Sequence, residues 1–180
     1  MKEIIMMSGK YLRNPLTVVD MTLPDQPLVY VNPSFEKITQ YHFEEVAGKN
    51  CRFLQGEGTD PESVAFIKKM LSTNKAFFID LLNYRKDGSE FWNRLCLLPY
   101  VDAKERLFLG MQHEINNPKS LKKDKPVELE NAIIRDRINN LFAAMLLSTV
   151  HLNKNTDQQD LIGKRLDELA TGLSEFIISL

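Results

Sequence analysis

No apolar run in these 180 residues is long enough to cross a bilayer, so no membrane is expected. An excess of charge of one sign is missing too: 23 lysines and arginines face 24 aspartates and glutamates, a formal net charge of -1. Without a basic surplus, nucleic acid is not an expected partner. The opening MKEIIMMSGKYL carries little positive charge and breaks its apolar run at Ser8-Gly9, which does not read as an export signal. Cysteine is scarce, with only Cys51 and Cys96, and in a chain placed in the cytoplasm both should stay thiols unless they carry chemistry. The length leaves room for one ordinary domain and an appendage, but not for a second, catalytic domain.

What is present is clear punctuation. Leu16–Asp20 (LTVVD) and Leu28–Val31 (LVYV) are short β-branched runs flanking Leu23-Pro24-Asp25-Gln26-Pro27, which predicts two strands and a tight connection. Asn32-Pro33-Ser34 caps a helix through Phe35 and Ile38, and Glu44-Glu45-Val46 predicts another turn ending at Gly48. Thr59-Asp60-Pro61-Glu62 supplies a cap, a first-turn proline and an acid ahead of Val64, Ile67, Met70 and Leu71, which recur at helical spacing. Three more strands are expected at Phe77–Tyr84, Phe91–Val101 and Leu107–Gln112, with turns at Asp87-Gly88 and Asp102-Ala103-Lys104. The order defines an α+β domain: a five-stranded antiparallel sheet with small helices on one face, where a ligand would lie.

After Ile115, NNPKSLKKDKP has little to bury and reads as a linker or a loose helix start. From Leu129 to Leu146, and again from Leu161 to Leu180, apolar residues recur every three or four positions, with Asn153–Asp157 between the two runs. A hairpin of two such helices cannot hide both stripes alone. Packing on a second copy, as a homodimer, is expected; folding back as a lid is the alternative. The expected division is 1–15 extension, 16–115 domain, 116–127 linker and 128–180 output hairpin.

Gly48 to Gly56 reads GKNCRFLQG. Followed in order by Gly58-Thr59-Asp60, Leu82-Asn83-Tyr84, Phe91-Trp92-Asn93 and Phe108-Leu109-Gly110-Met111-Gln112, the stretch from Leu16 to Glu114 strongly resembles the light-oxygen-voltage (LOV) family of PAS domains. The resemblance implies non-covalent binding of an oxidised flavin, usually FMN, and a reversible blue-light bond between Cys51 and the ring's C4a carbon. The residue types suit that chemistry. A thiol of ordinary pKa, about 8.5, is a poor nucleophile at neutral pH, whereas an excited flavin has a basic N5 that takes its proton. Light supplies the activation, so none of His42, His113 and His151 needs to complete a dyad. Cys96 is expected to serve strand packing.

In a short helix at Asn50–Gln55, Arg52 projects away from Cys51 and reaches the phosphate end of the cofactor. The family usually supplies a second arginine on the next helix. The matching position here is Lys68, which lacks the bidentate fork, so riboflavin and FAD stay open beside FMN. Asn83, Asn93 and Gln112 each offer a donor and an acceptor to the alternating pyrimidine edge of a flavin. A three-residue loop Lys86-Asp87-Gly88 puts Asn83 and Asn93 on one sheet face, and a two-residue turn puts them on opposite faces; the longer loop is expected. Gln112, Gly110 and Phe108 alternate onto one face, with glycine allowing close approach. Asn32, Asn50, Gln55, Val19, Leu54, Leu82 and Leu95 complete the expected pocket, by resemblance and face parity.

Gln112 is the expected relay: a protonated N5 favours a turned amide, and the strand of Gln112 leads into the linker. A second resemblance lies in Arg135-Asp136-Arg137-Ile138-Asn139-Asn140-Leu141 and Gly163-Lys164-Arg165-Leu166-Asp167-Glu168-Leu169, which look like the dimerisation and phosphoacceptor hairpin of HWE and related histidine kinases. Asp136 stands where that family has its histidine, and Asn139 where a lysine is common. The expectation is a photoreceptor that is not an enzyme beyond its photocycle. Its partners are a second copy, through the C-terminal helices, and a signalling kinase or response regulator. A flavin-holding redox or ligand sensor and a degenerate phosphotransfer component are the alternatives.

Overall fold

The computed structural model describes residues 12–101, 106–116 and 127–128, with isolated positions towards either end. Contacts divide the chain into Pro15–Leu129 and a second unit of Met1–Asn14 with Glu130–Leu180. The first unit contains β1 (Leu16–Asp20), β2 (Leu28–Val31), α1 (Pro33–Thr39), α2 (Phe43–Val46), a 3-10 turn (Cys51–Leu54), α3 (Pro61–Thr73), β3 (Phe77–Tyr84), β4 (Glu90–Val101), β5 (Arg106–Ile115) and β6 (Val127–Glu128). The strands form one antiparallel sheet in the order β2-β1-β5-β4-β3-β6. Five of them, β1 to β5, form the five-stranded antiparallel sheet expected from the sequence.

Local chemistry sets the element ends. Asn32 caps α1 by accepting the Phe35 N–H at 3.0 Å, Pro33 opens the helix, and Gln40 ends it at a left-handed φ of 65°. Asp60 does the same for α3 through the amides of Glu62 and Ser63, and Asn74 ends that helix at φ 55°. Between β3 and β4, Arg85 N–H donates to Ser89 O at 2.9 Å and Gly88 takes φ +86°, so the loop is the three residues Lys86–Gly88. The resulting register pairs Asn83 with Phe91 and Leu81 with Asn93, which puts both asparagines on one face. The loop is pinned by Lys86 N–H to Thr39 O and by an ion pair between Lys86 and Glu45.

Two of the expected boundaries move. β5 continues to Ile115, past Gln112, and Val127–Glu128 pairs with Phe77 and Phe78 as a sixth strand, where the end of a linker and the start of the hairpin were expected. The outer edge of β3 carries unpaired backbone groups, and these recruit an extended segment. The remainder of the hairpin, most of the linker and the Asp102–Lys104 turn lie outside the described residues.

On the inner face, Val19, Phe77, Ile79, Leu81, Leu97 and Phe108 pack against Phe35, Val46, Leu54 and Met70 from the helices. Burying each such side chain contributes about 1.5–3 kcal/mol, enough to fix the helices over the sheet. The outer face is buried as well, at Leu16, Val18, Phe78, Cys96, Leu98, Leu109 and Met111. There Arg94 meets its cross-strand partner Asp80 through two bonds of 2.7 and 2.6 Å.

Candidate functional site

Between the inner face and the helices lies a cavity. Its floor is strand: Thr17 and Val19 of β1, Leu81 and Asn83 of β3, Asn93, Leu95 and Leu97 of β4, and Phe108 and Gln112 of β5. These residues share a face because each strand contributes every second position. The roof is Phe35, the turn with Cys51 and Leu54, and Ile67 and Leu71, one helical turn apart on α3. Gln26, Asn50, Arg52 and Gln55 complete the lining.

Polarity on the floor is confined to four side chains. Asn93 Nδ2 donates to Asn83 Oδ1 at 2.9 Å, and Asn83 Nδ2 turns to Leu82 O at 3.2 Å. Gln112 Nε2 donates to Thr17 Oγ1 at 3.2 Å and to Gly110 O at 3.4 Å. Thr17 Oγ1 in turn donates to Gly110 O at 3.3 Å. Asn93 Oδ1 and Gln112 Oε1 are left buried with no partner. Each such acceptor costs about 1–3 kcal/mol unless it meets a donor, so the floor is built for a ligand that carries one. Gly110 makes the arrangement possible: a Cβ there would stand 2.5 Å from Thr17 Oγ1.

Cys51 opens the 3-10 turn, half-buried and with its thiol free, and lines the cavity. Burial pushes the thiol up to about 12, against a backbone hydrogen bond and the neighbouring Arg52 charge, which both act to lower it. The ordinary thiol pKa expected from sequence is therefore raised, and Cys51 carries its proton at neutral pH. Cys96 lies on the other face, directly opposite Met111, and burial lifts it to about 12 as well. Beside Cys51, Arg52 Nη1 binds Asp25 Oδ1 and Oδ2 at 2.7 and 2.8 Å. The loop after Cys51 lies tight against β3: a Cβ at Gly56 would strike the Tyr84 ring at 2.4 Å, and Gly58 N–H donates to the Tyr84 hydroxyl. Thr59 Oγ1 fastens that loop by donating to Leu82 O at 2.7 Å.

A family model for the PAS domain matches residues 15–117. The solved LOV domain of a blue-light-activated histidine kinase from Erythrobacter litoralis is 42% identical with a TM-score of 0.56, covering 59% of this chain and 99% of that one. The chain belongs to the PAS family, as a LOV protein. Two curated relatives of this LOV protein are the blue-light-activated histidine kinase of Brucella ovis, 44% identical over 118 residues, and blue-light-activated histidine kinase 2 of Erythrobacter litoralis, 35% identical over 157. The matches take in 64% and 86% of this chain but only 23% and 44% of the relatives. They overturn the expectation that the chain is no enzyme: the relatives are kinases by name. Lack of room for a catalytic domain was judged on 180 residues, whereas those kinases are far longer than the segments they share with this LOV protein.

Of the expected site residues, the LOV cavity collects Val19, Asn50, Cys51, Arg52, Leu54, Gln55, Asn83, Asn93, Leu95, Phe108 and Gln112. Four others do not line it. Leu82 is out of phase with Asn83 and packs at Gly58; Leu81 takes its place on the floor. Lys68 is exposed, since one step along a helix from Ile67 turns a side chain by 100°. Asn32 is wholly buried in a structural role, its Oδ1 accepting from Leu16 N–H at 2.8 Å and Phe35 N–H at 3.0 Å. Gly110 acts through close packing beneath the lining, as its contacts show. Thr17, Gln26, Phe35, Ile67, Leu71, Leu81 and Leu97 were not anticipated. Strand parity with Val19, Asn83 and Leu95 could have found Thr17, Leu81 and Leu97, and the i,i+4 spacing from Ile67 could have found Leu71.

Proposed function

We propose that the chain is a blue-light photoreceptor that holds a flavin in this cavity, bonds it reversibly through Cys51, and signals through Gln112 to the segment beyond Ile115. The observation that carries the reading is the pair of unpartnered buried acceptors, Asn93 Oδ1 and Gln112 Oε1, on a floor roofed by apolar side chains and one protonated thiol. A flavin ring fits those residues: flat and largely apolar, it presents an N–H and carbonyl oxygens along one edge, where primary amides serve both. When bound, an oxidised flavin supplies blue-light absorption and, on excitation, a basic nitrogen beside an electrophilic carbon.

Cys51 contributes the proton and the sulfur. Its raised pKa keeps it inert in darkness, and the sulfur becomes nucleophilic only as its proton leaves. Gln112 is poised to answer a change of donor and acceptor above it, because an amide can turn over without changing shape. Thr17 follows either orientation: its hydroxyl accepts from Nε2 now and donates to oxygen after a turn. A turn would also remove Nε2 from Gly110 O, so the change is felt in the β5 backbone, five residues before that strand ends at Ile115.

The 157-residue match must run into the C-terminal segment, because the residues ahead of the domain are too few to account for its length. That supports 128–180 as a dimerisation element of histidine-kinase type, pairing with a second copy and addressing a kinase or response regulator. FMN is the expected flavin, in a cytoplasmic protein; among the described residues no helix is long and apolar enough to cross a membrane. The test is the absorption spectrum of the purified chain under blue light. A yellow protein whose visible bands bleach and recover in darkness, with the effect lost in Cys51→Ala, supports the reading. A protein that takes up no flavin, or whose spectrum ignores light, overturns it.

A further inference from the structure

Among the described residues that line the cavity, Arg52 at its mouth carries the only positive charge, and it is already engaged. Its Nη1 is shared between both carboxylate oxygens of Asp25, at 2.7 and 2.8 Å. The pairing is built into the backbone. Asn50 accepts the Arg52 N–H at 3.0 Å through Oδ1 and donates through Nδ2 to Asp25 O at 2.6 Å, so one side chain organises both partners. Asp25 and Gln26 take left-handed φ values of 64° and 51°, which folds this turn over the opening where Gln26 joins the lining. Lys68 is exposed and outside the lining, so it does not replace the arginine there.

We infer that Asp25 is a specificity-determining residue of the cavity, which neutralises Arg52 and so removes most of the preference for a phosphorylated over an unphosphorylated flavin. This rests on the flavin reading above. A phosphate monoester carries about -1.5 to -2 charge at neutral pH and seeks a guanidinium for its bidentate bonds. Here it must share the guanidinium with a carboxylate of its own sign. The ribityl hydroxyls and the ring are untouched by that competition, so riboflavin loses nothing.

The test uses the full chain freed of flavin, titrated with FMN and with riboflavin at low salt by quenching of flavin fluorescence. The wild type is expected to bind the two within about threefold of each other. Asp25→Asn, whose side chain tolerates a left-handed backbone, should tighten FMN about three- to fivefold and leave riboflavin unchanged, the size of an exposed charge interaction. Asp25→Gly, equally at ease with that φ, is the second variant and should do the same. Adding Arg52→Gln to Asp25→Asn should abolish the gain. A wild type that already prefers FMN more than tenfold, or variants that leave the ratio unmoved or tighten both flavins alike, would overturn the inference while leaving the photoreceptor intact. Failure of the wild type to bind either flavin would overturn both.

Discussion

Gly110→Ala places a methyl group where the structure has no space for one. The added Cβ would lie 2.5 Å from Thr17 Oγ1, 3.3 Å from Leu97 Cδ2 and 3.4 Å from Gln112 Nε2. To restore van der Waals contact the threonine hydroxyl must retreat by roughly 1 Å, yet Thr17 is 1% exposed and β-branched, with few rotamers to choose from. Overpacking of this kind costs about 1–3 kcal/mol. Moving Thr17 also strains its bonds to Gly110 O and from Gln112 Nε2, each worth about 1 kcal/mol. The expected loss is about 2–4 kcal/mol, read by urea unfolding with Trp92 as reporter, at an unchanged m-value. Thr17→Ala alone should cost about 1–2 kcal/mol. In the double variant the new methyl occupies the space that Thr17 vacated, so the combined loss should fall short of the sum by at least about 1 kcal/mol. A Gly110→Ala protein within about 0.5 kcal/mol of wild type, or losses that simply add, would refute the packing described here.

Asn32→Ala should be among the costliest single changes, at about 2–4 kcal/mol by the same assay, because it leaves the buried amides of Leu16 and Phe35 without their side-chain acceptor. Both thiols are lifted by burial to about 12, so in the unfolded chain they ionise first. Their contribution to stability is complete below the ordinary thiol range and is lost as pH rises from about 8.5 towards about 12. Cys51→Ala/Cys96→Ala should therefore show a shallower decline than wild type across that window; parallel curves would contradict the burial assigned to them. Gln112→Leu should leave light-driven bleaching intact while suppressing the change in helicity or scattering on illumination. A full conformational response in that variant would show that the signal leaves by another path.

Much of the fold was legible because its punctuation is local. β1, β2 and the capped starts of α1 and α3 follow from side chains within four residues of each boundary, and Gly88 decided the β3–β4 loop. The amides of the floor followed from alternation along β3, β4 and β5. Leu82 was a misreading that the same alternation forbids, since adjacent strand residues cannot share a face with Asn83. What stayed hidden depends on residues far apart in sequence. Asp25 and Arg52 meet across 27 positions through a left-handed turn, and nothing near either residue signals the other. β6 depends on a free edge fifty residues earlier. Asn32 looked like a pocket amide because its type suits a ligand, although its position, one residue before a proline-led helix, equally marks a cap.

The central claim is most directly tested by infrared difference spectroscopy of the S–H stretch in the flavin-loaded chain. The account predicts a dark thiol band that disappears under blue light, returns in darkness and is missing from Cys51→Ala, while the Cys96 contribution stays constant. A thiol band that persists while the flavin spectrum bleaches would contradict it.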